Sequence, residues 1–191
     1  MKVRTLTLGD FQTNCYLVSD ENGATAVIDP GYEPETILAR AAQEQLQIAA
    51  ILLTHGHFDH VGGVKAVADA ARCPVWMNEK DRALPSWVTN GELYYTDGYK
   101  DGVTVQVGKL FFTVLETPGH TPGSVCLRCE NTLFSGDTLF AGSYGRTDLP
   151  GGSMAELRES LRRLAAIPEN LTVLPGHGGA TTLDRERGWL R

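Results

Sequence analysis

Alternating apolar and polar positions mark the opening of the chain as β-structure. Residues 3–8 alternate, 14–18 form a short apolar run, and 24–28 end at Asp29-Pro30-Gly31. The period then changes. Pro34 suits a first helical position, and Ile37, Leu38, Ala41, Ala42 and Leu46 share one helical stripe. Residues 49–53 are apolar without alternation, which predicts a strand covered on both faces. Gly62-Gly63 opens a helix over 64–72, and 74–77 reads as a short strand. Residues 79–84 read as a short helix, followed by loop-forming residues around Trp87, Tyr94 and Tyr95. Strands at 103–107 and 110–115 form a hairpin about Gly108-Lys109, and 124–129 pairs with 132–134 about Glu130-Asn131. A glycine-rich loop spans 142–152. Ser153 and Glu156 then make a capping box that starts a helix running to Ala166, and a last strand, 171–174, ends at Pro175-Gly176-His177.

Both halves of the chain read as β-rich segments followed by βαβ segments. This predicts two mixed sheets packed together with helices outside, in one α/β domain over residues 1–191. At 42% hydrophobic and 21% charged, the composition supports a packed core and excludes a disordered chain. The net charge of −6, with no Lys/Arg block, excludes a phosphate-neutralising nucleic-acid surface. No apolar run approaches the roughly 20 residues of a membrane span. The start, Met1-Lys2-Val3-Arg4-Thr5, leads into alternation instead of an apolar signal region, so the expected compartment is the cytoplasm. Cys126 and Cys129 spell C-x-x-C. With no second such pair to complete a zinc knuckle, they are read as two strand residues on opposite faces. No oligomer is indicated.

Chemistry enters with the five histidines. His55, His57 and His60 fall within His55-Gly56-His57-Phe58-Asp59-His60. His120 and His177 each follow a glycine at the end of a predicted strand. None is left over for packing or the surface. Imidazole and carboxylate are the usual catalytic ligands of zinc and similar ions. His55 and His57 could converge on one ion, with Asp59 and His60 displaced along the loop toward a second. Asp137, at the end of the strand after His120, offers two oxygens that could bridge ions about 3.5–4 Å apart.

Thr54-His55-Gly56-His57-Phe58-Asp59-His60, followed in order by His120, Asp137 and His177, resembles the H-x-H-x-D-H signature of the metallo-β-lactamase superfamily. Val27-Ile28-Asp29-Pro30-Gly31 matches the early acidic segment of the same family, and the resemblance spans roughly residues 3–180. It implies a four-layer αββα sandwich. It also implies two divalent metal ions, zinc first with iron or manganese as alternatives. Site one would be formed by His55, His57 and His120, site two by Asp59, His60 and His177, with Asp137 bridging. Asp59 and Asp137 would be the catalytic carboxylates, and Asp29 would support the metal loop from behind.

Phe134-Ser135-Gly136-Asp137-Thr138-Leu139-Phe140 resembles the glyoxalase II-like (hydroxyacylglutathione hydrolase-like) branch. Gly145-Arg146-Thr147-Asp148 resembles the substrate loop of small glyoxalase II-like proteins and of persulfide dioxygenases. The resemblance implies hydrolysis of a small-molecule thioester, such as S-D-lactoylglutathione, by a metal-bound hydroxide. Tyr144 and Arg146 are the candidate substrate-binding residues. The 14 residues after His177 suffice for one short helix, so the helical glutathione-binding domain of authentic glyoxalase II is not expected. Alternatives within the superfamily are a persulfide dioxygenase, with one non-haem iron on His55, His120 and Asp137, and a lactonase. Trp87, Tyr94 and Tyr95 are read first as core or subunit-contact residues. Glu156, Arg158, Glu159, Arg162 and Arg163 are read as a solvated helix face.

Overall fold

The computed structural model describes residues 1–190. Six strands form the first sheet in sequence order: β1 (Lys2–Leu8), β2 (Thr13–Ser19), β3 (Ala24–Ile28), β4 (Gln47–Leu52), β5 (Val75–Met77) and β6 (Asp97–Gly98). β1 to β3 run antiparallel, and β3 to β6 run parallel. The parallel half requires crossovers, which α1 (Pro34–Gln43), α2 (Phe58–Val61), α3 (Val64–Ala71) and α4 (Ser86–Thr89) provide, together with a 3₁₀ turn at Glu79–Ala83.

The second sheet also has six strands. They are β7 (Thr104–Val107), β8 (Leu110–Glu116), β9 (Val125–Cys129), β10 (Thr132–Gly136), β13 (Thr172–Pro175) and β14 (Thr181–Thr182), ordered β14-β13-β10-β9-β8-β7. A small separate hairpin pairs β11 (Leu139–Phe140) with β12 (Ser143–Tyr144). α5 (Met154–Ala165) and α6 (Leu183–Glu186) complete the chain.

Alternate residues of the central strands explain the layering. Tyr16, Val18, Ala26, Ile28 and Leu52 meet Val105, Phe112, Val114, Leu127 and Phe134 between the sheets. Their neighbours Leu17, Val27, Ile51 and Leu53 point the other way, onto Ile37, Ala41, Val64 and Val67 of α1 and α3. In the second sheet Cys126, Leu133 and Val173 pack on Leu157, Leu161 and Leu164 of α5. The order is therefore helix, sheet, sheet, helix: the expected αββα sandwich. Cys126 lies in the outer core and Cys129 in the inter-sheet core, the opposite faces that a spacing of three predicts. α5 starts where the capping box places it, with Ser153 Oγ accepting from the Glu156 amide at 3.3 Å.

Three local readings change. α1 stops at Gln43, Gln45 turns left-handed (φ 55°), and the Leu46 amide bonds back to the Ala41 carbonyl at 2.8 Å. Leu46 thus reaches the same core from beyond the helix. The glycine-rich loop begins with the β11–β12 hairpin, too short to show alternation. The aromatic group divides. Tyr94 and Tyr95 pack on the outer core, whereas Trp87 is 66% exposed because the single turn of α4 buries Val88 and Thr89 and points Trp87 outward.

Candidate metal centre

All five histidines gather at one rim of the sandwich. His55 and His57 follow β4. Asp59 and His60 lie on α2, a turn not read from the sequence, in which the His60 amide donates to the His57 carbonyl at 2.9 Å. That turn carries Asp59 and His60 away from His55 and His57, and so separates two groups of donors. His120 follows β8, Asp137 follows β10 and His177 follows β13. Among the described residues, His55, His57 and His120 place one donor atom each within 4.8 Å of one another, as do Asp59, His60 and His177. Asp137 stands between the groups. Its Oδ1 is 3.4 Å from His60 Nε2, and its Oδ2 is 3.5 Å from Nε2 of both His120 and His177.

Protein acceptors fix which nitrogen faces the centre. A carbonyl can only accept, so the His120 and His177 rings donate through Nδ1 to the Arg146 and Phe11 carbonyls, at 2.7 and 3.0 Å. His60 donates through Nδ1 to Asp29 Oδ2 at 2.9 Å. Thr54 Oγ1 donates to the same carboxylate oxygen at 2.6 Å and so accepts from His55 Nδ1 at 3.0 Å. Each of these four rings turns Nε2 inward. His57 is the exception, with Nδ1 turned 2.9 Å from His120 Nε2. Asp29 also accepts from the Thr54 amide at 2.7 Å, so one buried carboxylate orients both His55 and His60.

The donor set fits divalent cations. Among the described residues, His55 Nε2 and Asp137 Oδ1, both turned to the centre, are buried without a hydrogen-bond partner, a costly state for polar atoms unless they face a charge. Gly176 packs so closely that a Cβ there would overlap Asp137 Oδ1 and lie 2.7 Å from His60 Cε1.

Electrostatics divide the rings. Burial drives the His57 pKa down to about 4 and that of His55 well below its ordinary value, with neighbouring imidazoles adding to both shifts. His120 is lowered, again mainly by burial. Burial also opposes charge on His60, but Asp137, Asp29 and Asp59 outweigh it and push its pKa up to about 9. His177 moves up against burial through Asp59 and Asp137. Asp59 stays well below the usual carboxylate range despite burial, held there by His177, His60 and the Thr13 hydroxyl.

Several supporting residues carried no signal in the sequence. Asp81 is fully buried and, among the described residues, has no cationic partner. Its Oδ2 accepts from the Gly56 amide at 2.8 Å and Thr121 Oγ1 at 2.9 Å, and its Oδ1 accepts from the Gly123 amide at 2.6 Å. It thereby ties the His55–His57 loop to the segment after His120. Thr13 Oγ1 donates to Asp59 Oδ2 at 3.1 Å. Asn14 Nδ2 holds the His177 turn through the Pro175 and Gly178 carbonyls, at 3.1 and 2.9 Å. Each is a common residue in a strand or turn, and only the fold brings it to the rim.

A cleft of about 450 Å³ opens over the centre, lined by Phe11, Phe58, Trp87, Phe140 and Leu149 beside the His and Asp groups. Arg146 lines it too, with Nε and Nη2 each 2.7 Å from the Asp148 carboxylate. Tyr144 does not line this cleft. It lies against Trp189, ring centres 6.1 Å apart, in a separate groove with Met154 and Arg158. A larger cavity of about 900 Å³, lined by Lys65, Arg82, Tyr94 and Tyr95 among others, holds none of the histidines.

Two stacked sheets with a His/Asp cluster at their rim define a metal-binding αββα protein. The chain belongs to the metallo-β-lactamase superfamily, whose family model matches residues 8–177. It is 33% identical to the hydroxyacylglutathione hydrolase GloC of Haemophilus influenzae, covering 98% of this chain and 95% of that protein. Among solved structures it is similar to the B3 metallo-β-lactamase BLEG-1, with TM-score 0.90, 37% identity, and 98% and 97% of the two chains covered. A di-iron-bound form of TTHA1623 gives TM-score 0.83 and 40% identity, covering 96% of each chain. ETHE1 of Myxococcus xanthus gives 0.86 and 30%, covering 98% of this chain and 82% of that one. No helix among the described residues is long and apolar enough to cross a membrane.

Proposed function

We propose that this metallo-hydrolase is a glyoxalase II-like thioesterase that cleaves S-2-hydroxyacyl thioesters such as S-D-lactoylglutathione. The observation that carries the reading is the Asp137 carboxylate, set 3.4–3.5 Å from Nε2 of His60, His120 and His177 between two three-residue groups. In this assignment His55, His57 and His120 would hold one divalent ion and Asp59, His60 and His177 the other, with Asp137 available to both. Zinc is the first choice, and iron or manganese suits the same donors. When bound, such a pair polarises a carbonyl and lowers the pKa of a water toward about 7.

The chain's own groups do the rest. Asp29 and Thr54 hold His55 and His60 with Nε2 inward, and the Arg146 and Phe11 carbonyls do the same for His120 and His177. Asp59 and Asp137 bring negative charge to the reacting centre. The apolar walls line the approach to the scissile bond. All five imidazoles are committed to the centre, which leaves no separate general acid. A thioester needs none, because a thiol of pKa about 8.5 leaves as its anion.

The test is thiol release from S-D-lactoylglutathione by zinc-loaded protein. Turnover no faster than buffer overturns the substrate assignment. The likeness to ETHE1 and the Gly145-Arg146-Thr147-Asp148 loop favour a second reading, a persulfide dioxygenase. One iron per chain with oxygen uptake would select it.

A further inference from the structure

The cleft carries a message about the thiol half of the substrate. A lactoyl group has few atoms, so most of a space of about 450 Å³ faces the leaving thiol. Glutathione brings two carboxylates and an ammonium group. The cleft offers little to meet them. Apart from the His and Asp groups of the centre, Arg146 is the only ionisable residue lining it among the described residues, and Asp148 already bonds two of its nitrogens. Arg146 keeps N–H donors free on its Nη1 side, but a substrate carboxylate bound there would lie beside the Asp148 charge, which offsets the attraction.

The remaining walls are apolar, and two of them stand in water. Phe11 is 57% exposed and Trp87 is 66% exposed. Phe11 is held edge-on against Phe58, centroids 5.1 Å apart, and Phe140 stands edge-on to His177 at 6.2 Å. Leu149 and Val88 fill in around them. Aromatic side chains held in place yet exposed beside a reactive centre are a surface for an apolar ligand.

We infer that this site takes thioesters of an uncharged, apolar thiol, aromatic or branched aliphatic, in preference to those of glutathione, with Trp87 and Phe11 as the surface that selects them. The inference rests on the thioesterase reading for its reaction but not for its binding test.

Two matched pairs separate the cases. The first pair cannot be hydrolysed: benzyl 2-hydroxypropyl thioether and S-(2-hydroxypropyl)glutathione, titrated calorimetrically into metal-loaded and metal-free protein. The benzyl compound should bind at least tenfold more tightly in both forms, and Trp87→Ala should erase the difference. Equal binding, tighter binding of the glutathione compound, or a preference unchanged in Trp87→Ala overturns the inference whatever the reaction is. The second pair is the S-benzyl thioester of D-lactic acid (S-benzyl 2-hydroxypropanethioate) and S-D-lactoylglutathione, compared by kcat/KM. The benzyl ester should lead by at least tenfold, with Phe11→Ala narrowing the ratio. A lead for the glutathione ester overturns the inference and leaves the thioesterase intact. Hydrolysis of neither ester, with the thioether preference still present, overturns the thioesterase alone.

Discussion

His57 turns its Nδ1 to within 2.9 Å of His120 Nε2, while the other four histidines hold Nδ1 to the protein and aim Nε2 at the centre. The two rings come from opposite sheets. An ion between them would take unlike nitrogens, and that gives the first prediction. His57→Ala should remove hydrolysis and leave the fold, judged by circular dichroism. His57→Asn, whose amide lies near the place of Nδ1, should retain more metal than His57→Gln, whose amide lies near that of Nε2. The reverse order, by metal quantification, would place Nε2 at the ion.

Thr54→Val tests the relay from Asp29. It removes the hydroxyl that joins Asp29 Oδ2 to His55 Nδ1 and leaves the His60–Asp29 bond in place. Residues that orient metal-ligating histidines typically contribute about 10–100-fold in metal affinity. A loss in that range, read by competition with a chromophoric chelator, is expected for the ion near His55 and a smaller one for its neighbour.

Asp81→Asn tests the tie between the His55–His57 loop and the segment after His120. An amide nitrogen would face the Gly56 or Gly123 amide donor, so at least one bond to a charged acceptor is lost, at about 1.5–3 kcal/mol. Both the thermal midpoint and the occupancy of the His55–His57–His120 group should fall. A lower midpoint with full occupancy would make Asp81 a fold residue only.

The fourth prediction is pH-dependent and concerns metal-free protein. His60 has a folded pKa of about 9, against roughly 6.5 when unfolded, because carboxylates surround it. Below pH 6.5 both states carry the proton and the stabilisation is complete. Between 6.5 and 9 the folded state holds the extra proton, so stability declines as pH rises through that window. His177 acts in the same direction, whereas His55 and His57 titrate below the window. Thermal melts should show a falling midpoint from pH 6.5 to 9, and metal binding at pH 7 should release about one proton from His60. A flat midpoint would mean a neutral ring.

Much of this was legible in the sequence because it is local. The H-x-H-x-D-H run is six adjacent residues, and the strand ends before His120, Asp137 and His177 announce themselves by glycine. The central strands read correctly because burial on both faces leaves long apolar runs. What the sequence hid is tertiary. Asp81, Thr13 and Asn14 matter only through partners up to 164 positions away. Tyr144 sits close after Asp137 in the chain, yet the β11–β12 hairpin turns it toward Trp189. Trp87 reads as packing because composition does not show which way a one-turn helix faces.

The donors of the centre are shared between the sheets: His55, His57, Asp59 and His60 from the first, His120, Asp137 and His177 from the second. Ions held there would act as a clasp on the open edge of the sandwich, while the inter-sheet core secures the middle. Taking the ions away should let that edge breathe without unfolding the rest. Amide hydrogen exchange should quicken on chelation around residues 117–124, 136–146 and 175–178, and stay slow through β3, β4 and β9. The chemistry of the centre and the mechanical closure of the fold would then depend on the same few atoms.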